Sequence, residues 1–318
     1  PYDSRGADWH PWIECKDAFD YDSLAESFIP TSPSEKEGYW RSASQQLLSA
    51  VLKKTSSNAS ISELIDILLL GSLKELCNYV QGTKAASVLD ISSEKTASSI
   101  RSVAASYLNS LESLKDTSDP FSIRSWVENE NDDSWLFISS TMAQRSNLRP
   151  LISTWVSIAM RSLLHMKPSF ERRLWLIIDE LPSLQKLKDF ETFLTESRKY
   201  GGCALIAFQS PSQIEKHYGH DTAREIMGNC LTKIILNEQD PEIAKKLSFI
   251  FGEEEFSELQ ESLSYGAHEM RDGVSLNSQI KTQNIIKASD IQSLKKLTGY
   301  IRLSGIPKIT KINIPIAT

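Results

Sequence analysis

From about residue 135 onward, short apolar runs alternate with helix-length stretches, and this alternation limits the fold more than any other feature of the chain. Trp135-Leu136-Phe137-Ile138-Ser139, Leu174-Trp175-Leu176-Ile177-Ile178, Cys203-Ala204-Leu205-Ile206-Ala207-Phe208 and Leu231 to Leu236 each read as a buried strand. Between them, a strongly apolar helix is expected from Pro150, placed in its first turn, to Met166, and another over about 184–198. Parallel strands need a long crossover, usually a helix, so the pattern predicts an α/β fold: a largely parallel sheet with both faces covered. Tyr300 to Leu303 and Ile309 to Ile312 alternate in a way that predicts terminal strands.

The first third differs. Residues 1–32 are acidic and aromatic, with Trp9, Trp12, Phe19 and Tyr21, and Pro30 to Ser34 mark a break. Residues 33–118 read as an all-helical domain. Trp40, Ala43, Leu47, Leu48 and Val51 recur at helical spacing, and Ala97, Ile100, Val103, Ala104, Tyr107, Leu108 and Leu111 share one face. Ser60-Ile61-Ser62-Glu63 predicts a capping box, and Gly71 and Gly82 sit where helix ends favour left-handed backbone. Residues 119–318 then carry the strand–helix alternation.

Charge and composition exclude several classes. The chain holds 41 acids against 35 bases, a net charge of −6, so any nucleic-acid contact must be local or shared among subunits. Residues 33–118 hold equal numbers of acids and bases, so they present no basic surface by their totals. Cys15, Cys77, Cys203 and Cys230 have no metal or redox spacing, and reduced thiols in the cytoplasm are expected. Pro1 to Arg5 is polar and unlike a signal peptide, and an opening without methionine suggests a true start upstream. The most apolar stretch, Leu64 to Leu73, contains Asp66 and is too short to span a bilayer. None of the 13 glycines precedes a lysine, so the usual phosphate-binding P-loop is missing from these residues.

The candidate chemistry lies at strand ends. Leu176-Ile177-Ile178-Asp179-Glu180 places two carboxylates where parallel α/β sheets bind ligands. In nucleotide hydrolases the first such acid helps hold Mg²⁺ and the second polarises the attacking water. The plainer reading is a strand that ends in solvated acids. Gln209 follows the next strand and could bond both a γ-phosphate and a water; alone it reads as an ordinary polar terminus. Arg198 and Lys199 close a helix, where bases complement the dipole, yet an arginine there could also reach a neighbouring subunit's phosphate. His217, His220 and Asp221 invite a metal, but Gly219 interrupts the helix and no third cluster joins them. Glu253-Glu254-Glu255 reads as a solvated helix start.

Taken in order, these segments resemble the TraD/TrwB-type coupling proteins of conjugation and type IV secretion, and most of all the F-type TraD branch. The resemblance rests on Phe137 to Ser140, Leu174 to Pro182, Glu196 to Gly202 and Phe208-Gln209-Ser210. Tyr265-Gly266-Ala267, Met270 to Ser275, Ile291 to Leu294, Phe121 to Trp126 and the opening Pro1 to Arg5 add to it. It covers nearly the whole chain and is weakest over about 45–118. It implies a partial RecA-like P-loop NTPase motor with an inserted all-α domain: residues 1–32 and 119–318 belong to the motor and 33–118 are the insert. It further implies a membrane-anchored homohexamer on the cytoplasmic face of the inner membrane. There it would couple the relaxase of the relaxosome and the transfer DNA to a type IV secretion channel, using ATP and Mg²⁺. By position, Asp179 and Glu180 match the Walker B acids, with Asp179 the Mg²⁺ ligand. Arg198 matches the arginine finger and Gln209 the glutamine that senses the γ-phosphate; Asp179, Glu180 and Gln209 form the nucleotide-binding set.

The family's membrane anchor and Walker A loop both precede the position matching Pro1. The chain alone is therefore expected to hydrolyse no ATP and to need no cofactor, as a product of truncation, proteolysis or a split gene. Loss of an internal P-loop strand predicts either a rearranged sheet or pairing with another chain. The alternative is a non-enzymatic adaptor that binds relaxase, substrate or DNA through the all-α region. An unrelated α/β enzyme with Asp179 and Glu180 as an acid–base pair is disfavoured by the motif order.

Overall fold

The computed structural model describes residues 1–32, 35–56, 60–264 and 273–316. The motif residues Tyr265-Gly266-Ala267 and Met270-Arg271-Asp272, and Pro33-Ser34 of the proposed break, lie outside the described residues. The chain divides into two compact units, Pro1–Ile226 and Met227–Thr318.

The first unit opens with α1 (Ala18–Phe28), α2 (Glu35–Thr55), α3 (Ile61–Ile65), α4 (Leu73–Tyr79) and α5 (Glu94–Leu108). A π-helical turn, Asp66–Leu70, links α3 to α4. Every regular element described between residues 35 and 113 is helical. Ser60 accepts the Glu63 N–H at 3.2 Å, and a fully reciprocal capping box forms at Ser72 and Glu75. Gly82 is left-handed at φ +78°, whereas Gly71 is not: it leaves the π turn in an extended conformation at φ −59°, ψ 165°. Trp9, Trp12, Leu24, Phe28, Leu47, Val51, Ile100 and Leu108 pack in one core. That core therefore joins the N-terminal segment to the serine-rich helices, and Trp12 Nε1 donates to the Leu52 carbonyl at 3.0 Å across it.

Next come α6 (Ile123–Glu128) and α7 (Met142–His165). The buried Glu14 carboxylate caps α6, accepting the Ile123 N–H at 2.7 Å and the Arg124 N–H at 2.9 Å. The start of this helix is thus capped both locally, where Ser122 Oγ accepts the Ser125 N–H at 3.0 Å, and by a residue more than a hundred positions away. Helix α7 begins at a Thr141–Gln144 capping box, so Pro150 lies inside it and not in its first turn; its missing N–H leaves one rung of the helix open. Leu148, Leu151 and Ile158 of α7 face the first core, while Val156, Met160 and Leu163 face a second. The second core also takes Ile178, Leu181, Leu187, Phe190, Phe193, Ile214 and Tyr218.

Strands β1 (Leu174–Ile178) and β2 (Gly202–Ile206) pair in parallel, with Leu174 opposite Gly202 and Ile178 opposite Ile206. Between them lies α8 (Phe190–Glu196), shorter than the expected helix: a 3-10 turn, Leu181–Ser183, precedes the range, residues 184–189 are not helical, and a second 3-10 turn begins at Ser197. After β2 come α9 (Pro211–Tyr218) and α10 (His220–Asn229).

Two sequence expectations fail here. Residues 135–139 form no strand, and Trp135 and Phe137 are 68% and 82% exposed. Only Leu136 of this segment packs on the first core, so the apolar run is covered on one side and has no ladder partner among the described residues. The β1–β2 sheet is covered on one face only, since Trp175, Ile177 and Leu205 are half-exposed on the other. It holds just two strands, and each outer edge is unpaired among the described residues.

The second unit contains β3 (Lys233–Leu236), α11 (Pro241–Ile250), β4 (Glu253–Ser264), β5 (Gly273–Asn284), α12 (Ala288–Gln292), β6 (Thr298–Arg302) and β7 (Ile309–Asn313). Strands β3, β6 and β7 form an antiparallel sheet in that order, so Leu231 to Leu236 does not extend the parallel ladder. The short link from β6 to β7 permits only antiparallel pairing. Glu253-Glu254-Glu255 opens β4 and not a helix; the three acids pair across the hairpin with Asn284, Gln283 and Thr282. Ile235, Ala244, Phe251 and Ile291 form the small core of this unit.

Candidate active site

The parallel pairing of β1 and β2 brings their carboxyl ends side by side. Asp179 and Glu180 leave β1 at that edge, and Phe208-Gln209-Ser210 leave β2 beside them. Backbone bonds continue the ladder past the strands: Ala207 N–H donates to the Ile178 carbonyl at 2.8 Å, and Leu181 N–H to the Ala207 carbonyl at 2.9 Å. This extension holds the two loops in register.

Gln209 Nε2 donates to Glu180 Oε2 at 3.2 Å. The other carboxylate oxygen, Oε1, is buried and has no hydrogen-bond partner among the described residues. An orphaned carboxylate oxygen in such a place is an acceptor poised for a water or a ligand proton. Asp179 is exposed, with its carboxylate open to solvent. Magnesium commonly takes one or two protein carboxylates and completes its shell with phosphates and water, so this oxygen-only pair suits that ion. No separate group of three or more His, Cys, Asp or Glu side chains among the described residues could hold a metal.

Gln209 is itself positioned from α9. The Gln213 side chain accepts the Gln209 N–H at 3.1 Å and the Ser210 N–H at 3.3 Å. Ser210, Pro211 and Gln213 supply the cap, the first-turn proline and the reciprocal acceptor of a helix start. The S-x-x-Q spacing of a capping box is the sequence signal that marks Gln213.

Arg198 does not join this cluster. It sits in a 3-10 turn (Ser197–Tyr200) before β2, at the opposite end of the two-stranded sheet. The length of β2, roughly 15 Å at strand rise, separates it from Gln209. Lys199 pairs with Glu196 at 2.8 Å, whereas Arg198 is exposed and its side chain makes no hydrogen bond or ion pair with the described residues. Its turn is tightly held. Arg172 Nη1 donates to the Tyr200 carbonyl at 3.1 Å, and Ser169 N–H donates to the Lys199 carbonyl at 2.9 Å.

His217 lies in the last turn of α9 and His220 opens α10, with Gly219 between them at φ +90°. His220 Nδ1 lies 3.7 Å from Glu215. Burial pushes the Cys15 thiol up to about 12, which removes it as a nucleophile.

Two residues beside the acidic edge carried no sequence signal. Arg149 of α7 donates from Nη2 to the carbonyls of Leu184 at 2.6 Å and Pro182 at 3.2 Å. Gln185 is buried and reaches α1.

The Type IV secretion-system coupling protein DNA-binding domain family matches residues 1–315. The coupling protein TraD of Escherichia coli (strain K12) is 36% identical over 326 residues, covering 100% of this chain and 45% of that relative. A conjugal transfer protein TraG of Escherichia coli is 26% identical over 296 residues, covering 79% of this chain and 46% of the relative. The chain thus spans about half the length of these curated relatives. The bacterial conjugative coupling protein TrwBdeltaN70, in an unbound monoclinic form, superposes with a TM-score of 0.87 at 29% identity; 100% of this chain and 73% of that chain are covered. TrwB in complex with ADP and Mg²⁺ superposes at 0.85 with 28% identity and the same coverage. The fold is accordingly part of a RecA-like nucleotide-binding domain together with an all-α region. Among the described residues no helix is long and apolar enough to cross a membrane. On the match over residues 1–315 and the full-chain identity to TraD, the chain belongs to the Type IV secretion-system coupling protein DNA-binding domain family.

Proposed function

We propose that residues 1–318 supply the acidic half of an ATP site in a coupling ATPase that moves DNA during conjugation. The observation that carries this reading is the Glu180–Gln209 contact at the shared edge of two parallel strands, with Glu180 Oε1 buried and unpartnered. In this reading Asp179 holds Mg²⁺, directly or through water. When bound, that ion neutralises phosphate charge and orients the nucleotide. Glu180 Oε1 takes a proton from the attacking water, while Gln209 steadies Oε2 and senses the γ-phosphate. Arg198, held at the far end of the sheet with its side chain free, serves the site of a neighbouring subunit in a homohexamer, where its guanidinium stabilises transition-state charge. The phosphate-cradling loop is not among residues 1–318, so these residues by themselves turn over no ATP. The natural-length protein would link a relaxase-bound transfer DNA to a type IV secretion channel at the cytoplasmic face of the membrane. Residues 33–118 would form the all-α domain set into the motor formed by 1–32 and 119–318.

The test uses the natural-length protein. Glu180→Gln should keep nucleotide affinity, measured by calorimetry, and lower ATP turnover by about 10²-fold or more. Undiminished turnover would sink the assignment of Glu180 as the base.

A further inference from the structure

The loop that follows Glu180 is tied to the helical layer by one buried side chain. Gln185 is 8% exposed, and its Nε2 donates to the carbonyls of Ser27 at 2.7 Å and Phe28 at 3.0 Å. These belong to the end of α1, where helical carbonyls lack partners within their own helix. The next two carbonyls of the same segment are taken from the other side. Gln45 Nε2 of α2 donates to Ile29 at 2.6 Å, and Arg41 Nη1 of α2 donates to Pro30 at 3.2 Å. Four consecutive carbonyls therefore form a junction, gripped on one side by the loop after the acids and on the other by α2.

The loop is also stiff at its near end. Arg149 Nη2 bridges the carbonyls of Pro182 and Leu184. Gln185 N–H donates to Ser153 Oγ at 3.1 Å, and Ser153 Oγ donates to the Arg149 carbonyl at 2.8 Å. A displacement at Glu180 is thus not absorbed within the next five residues. It reaches Gln185, whose two short bonds would have to break or carry the end of α1 along. Breaking them leaves buried carbonyls without donors, so moving together is the cheaper response. Two other links join α1 to this side. Arg161 Nη2 donates to Ser27 Oγ at 2.8 Å, and Lys188 pairs with Glu26. The Lys188 pair is partly exposed and weakly restraining. The Arg161 bond ends on a side-chain hydroxyl that itself donates to the Ser23 carbonyl at 2.9 Å, whereas the Gln185 bonds end directly on the backbone carbonyls that close α1.

We infer that Gln185 is a positioning residue that couples the Asp179–Glu180 edge to α2 through the carboxyl end of α1. The inference rests on the ATP-site reading above, because nucleotide is what would displace that edge.

Hydrogen–deuterium exchange on the natural-length protein, with and without a non-hydrolysable ATP analogue and Mg²⁺, tests it. In the wild type, nucleotide should change exchange in the first turns of α2 several-fold. In Gln185→Leu, calorimetric affinity for the analogue should stay near the wild-type value while the α2 response disappears. Gln45→Leu combined with Arg41→Met cuts the same path at its far end and should also abolish the response. It decides the matter if Gln185→Leu does not fold. A merely structural role would lower the melting temperature and leave the nucleotide-linked change in α2 intact; that result overturns the inference. A wild type that binds the analogue without any α2 response overturns the coupling alone. A wild type that binds no nucleotide overturns the ATP-site reading, and the coupling with it.

Discussion

At the scale of single residues, half-buried charge is used for positioning. Asp20 shows this. Burial alone would raise its carboxyl, but hydrogen bonds from Arg124 and from the Asp17 and Lys16 N–H groups outweigh burial and hold it at about 2. Arg124 grips both Asp20 oxygens, at 2.7 and 3.0 Å, tying α6 to α1. A folded value below the unfolded one means the stabilisation is complete above about pH 4 and is lost as pH falls toward 2. Arg124→Met should therefore flatten the acid limb of the stability curve and cost about 2 kcal/mol at neutral pH in urea unfolding. A variant whose acid limb matches the wild type would contradict the assignment. Asp179, Glu180 and Gln209 were legible in the sequence because an apolar strand followed by polar residues places them at a known edge. Glu14, Arg149 and Gln185 were not, because each acts on backbone groups distant in the chain.

At the scale of elements, the turn that carries Arg198 depends on two glycines. Gly201 is left-handed at φ +84°, and a Cβ there would overlap the Arg172 carbonyl oxygen. A Cβ on Gly202 would lie 2.5 Å from Ser197 Cβ. Gly201→Ala should cost more than about 1 kcal/mol, since it combines backbone strain with a backbone clash, and chemical denaturation would read it. An unchanged midpoint would mean that the turn can relax freely. Strand and helix periodicity correctly located β1, β2, β6 and β7. It failed at 135–139 and at Glu253 to Glu255 for one shared reason. Whether an apolar or acidic run becomes a strand depends on the partner it meets, and local pattern does not name that partner.

At the scale of the whole molecule, α7 is the wall shared by two cores of the first unit. The β1–β2 sheet uses that wall on one face and leaves Trp175, Ile177 and Leu205 half-exposed on the other. An exposed apolar face of this kind favours association. Residues 1–318 produced alone should bind an apolar-surface dye and self-associate with rising concentration. Ile177→Thr with Leu205→Thr should reduce both signals, as read by fluorescence and sedimentation. Equal dye binding by this double variant would place the sticky surface elsewhere. Local pattern alone was enough to locate β1, β2, β6 and β7, the acidic edge and the family, because periodicity, strand-end chemistry and motif spacing are local properties of the chain. Only the tertiary structure decided which strands pair, that Glu180 keeps one orphaned oxygen, and that a buried glutamine ties that edge to the helical layer. Those outcomes depend on which distant groups meet after burial, where each buried polar atom must find a partner or go without.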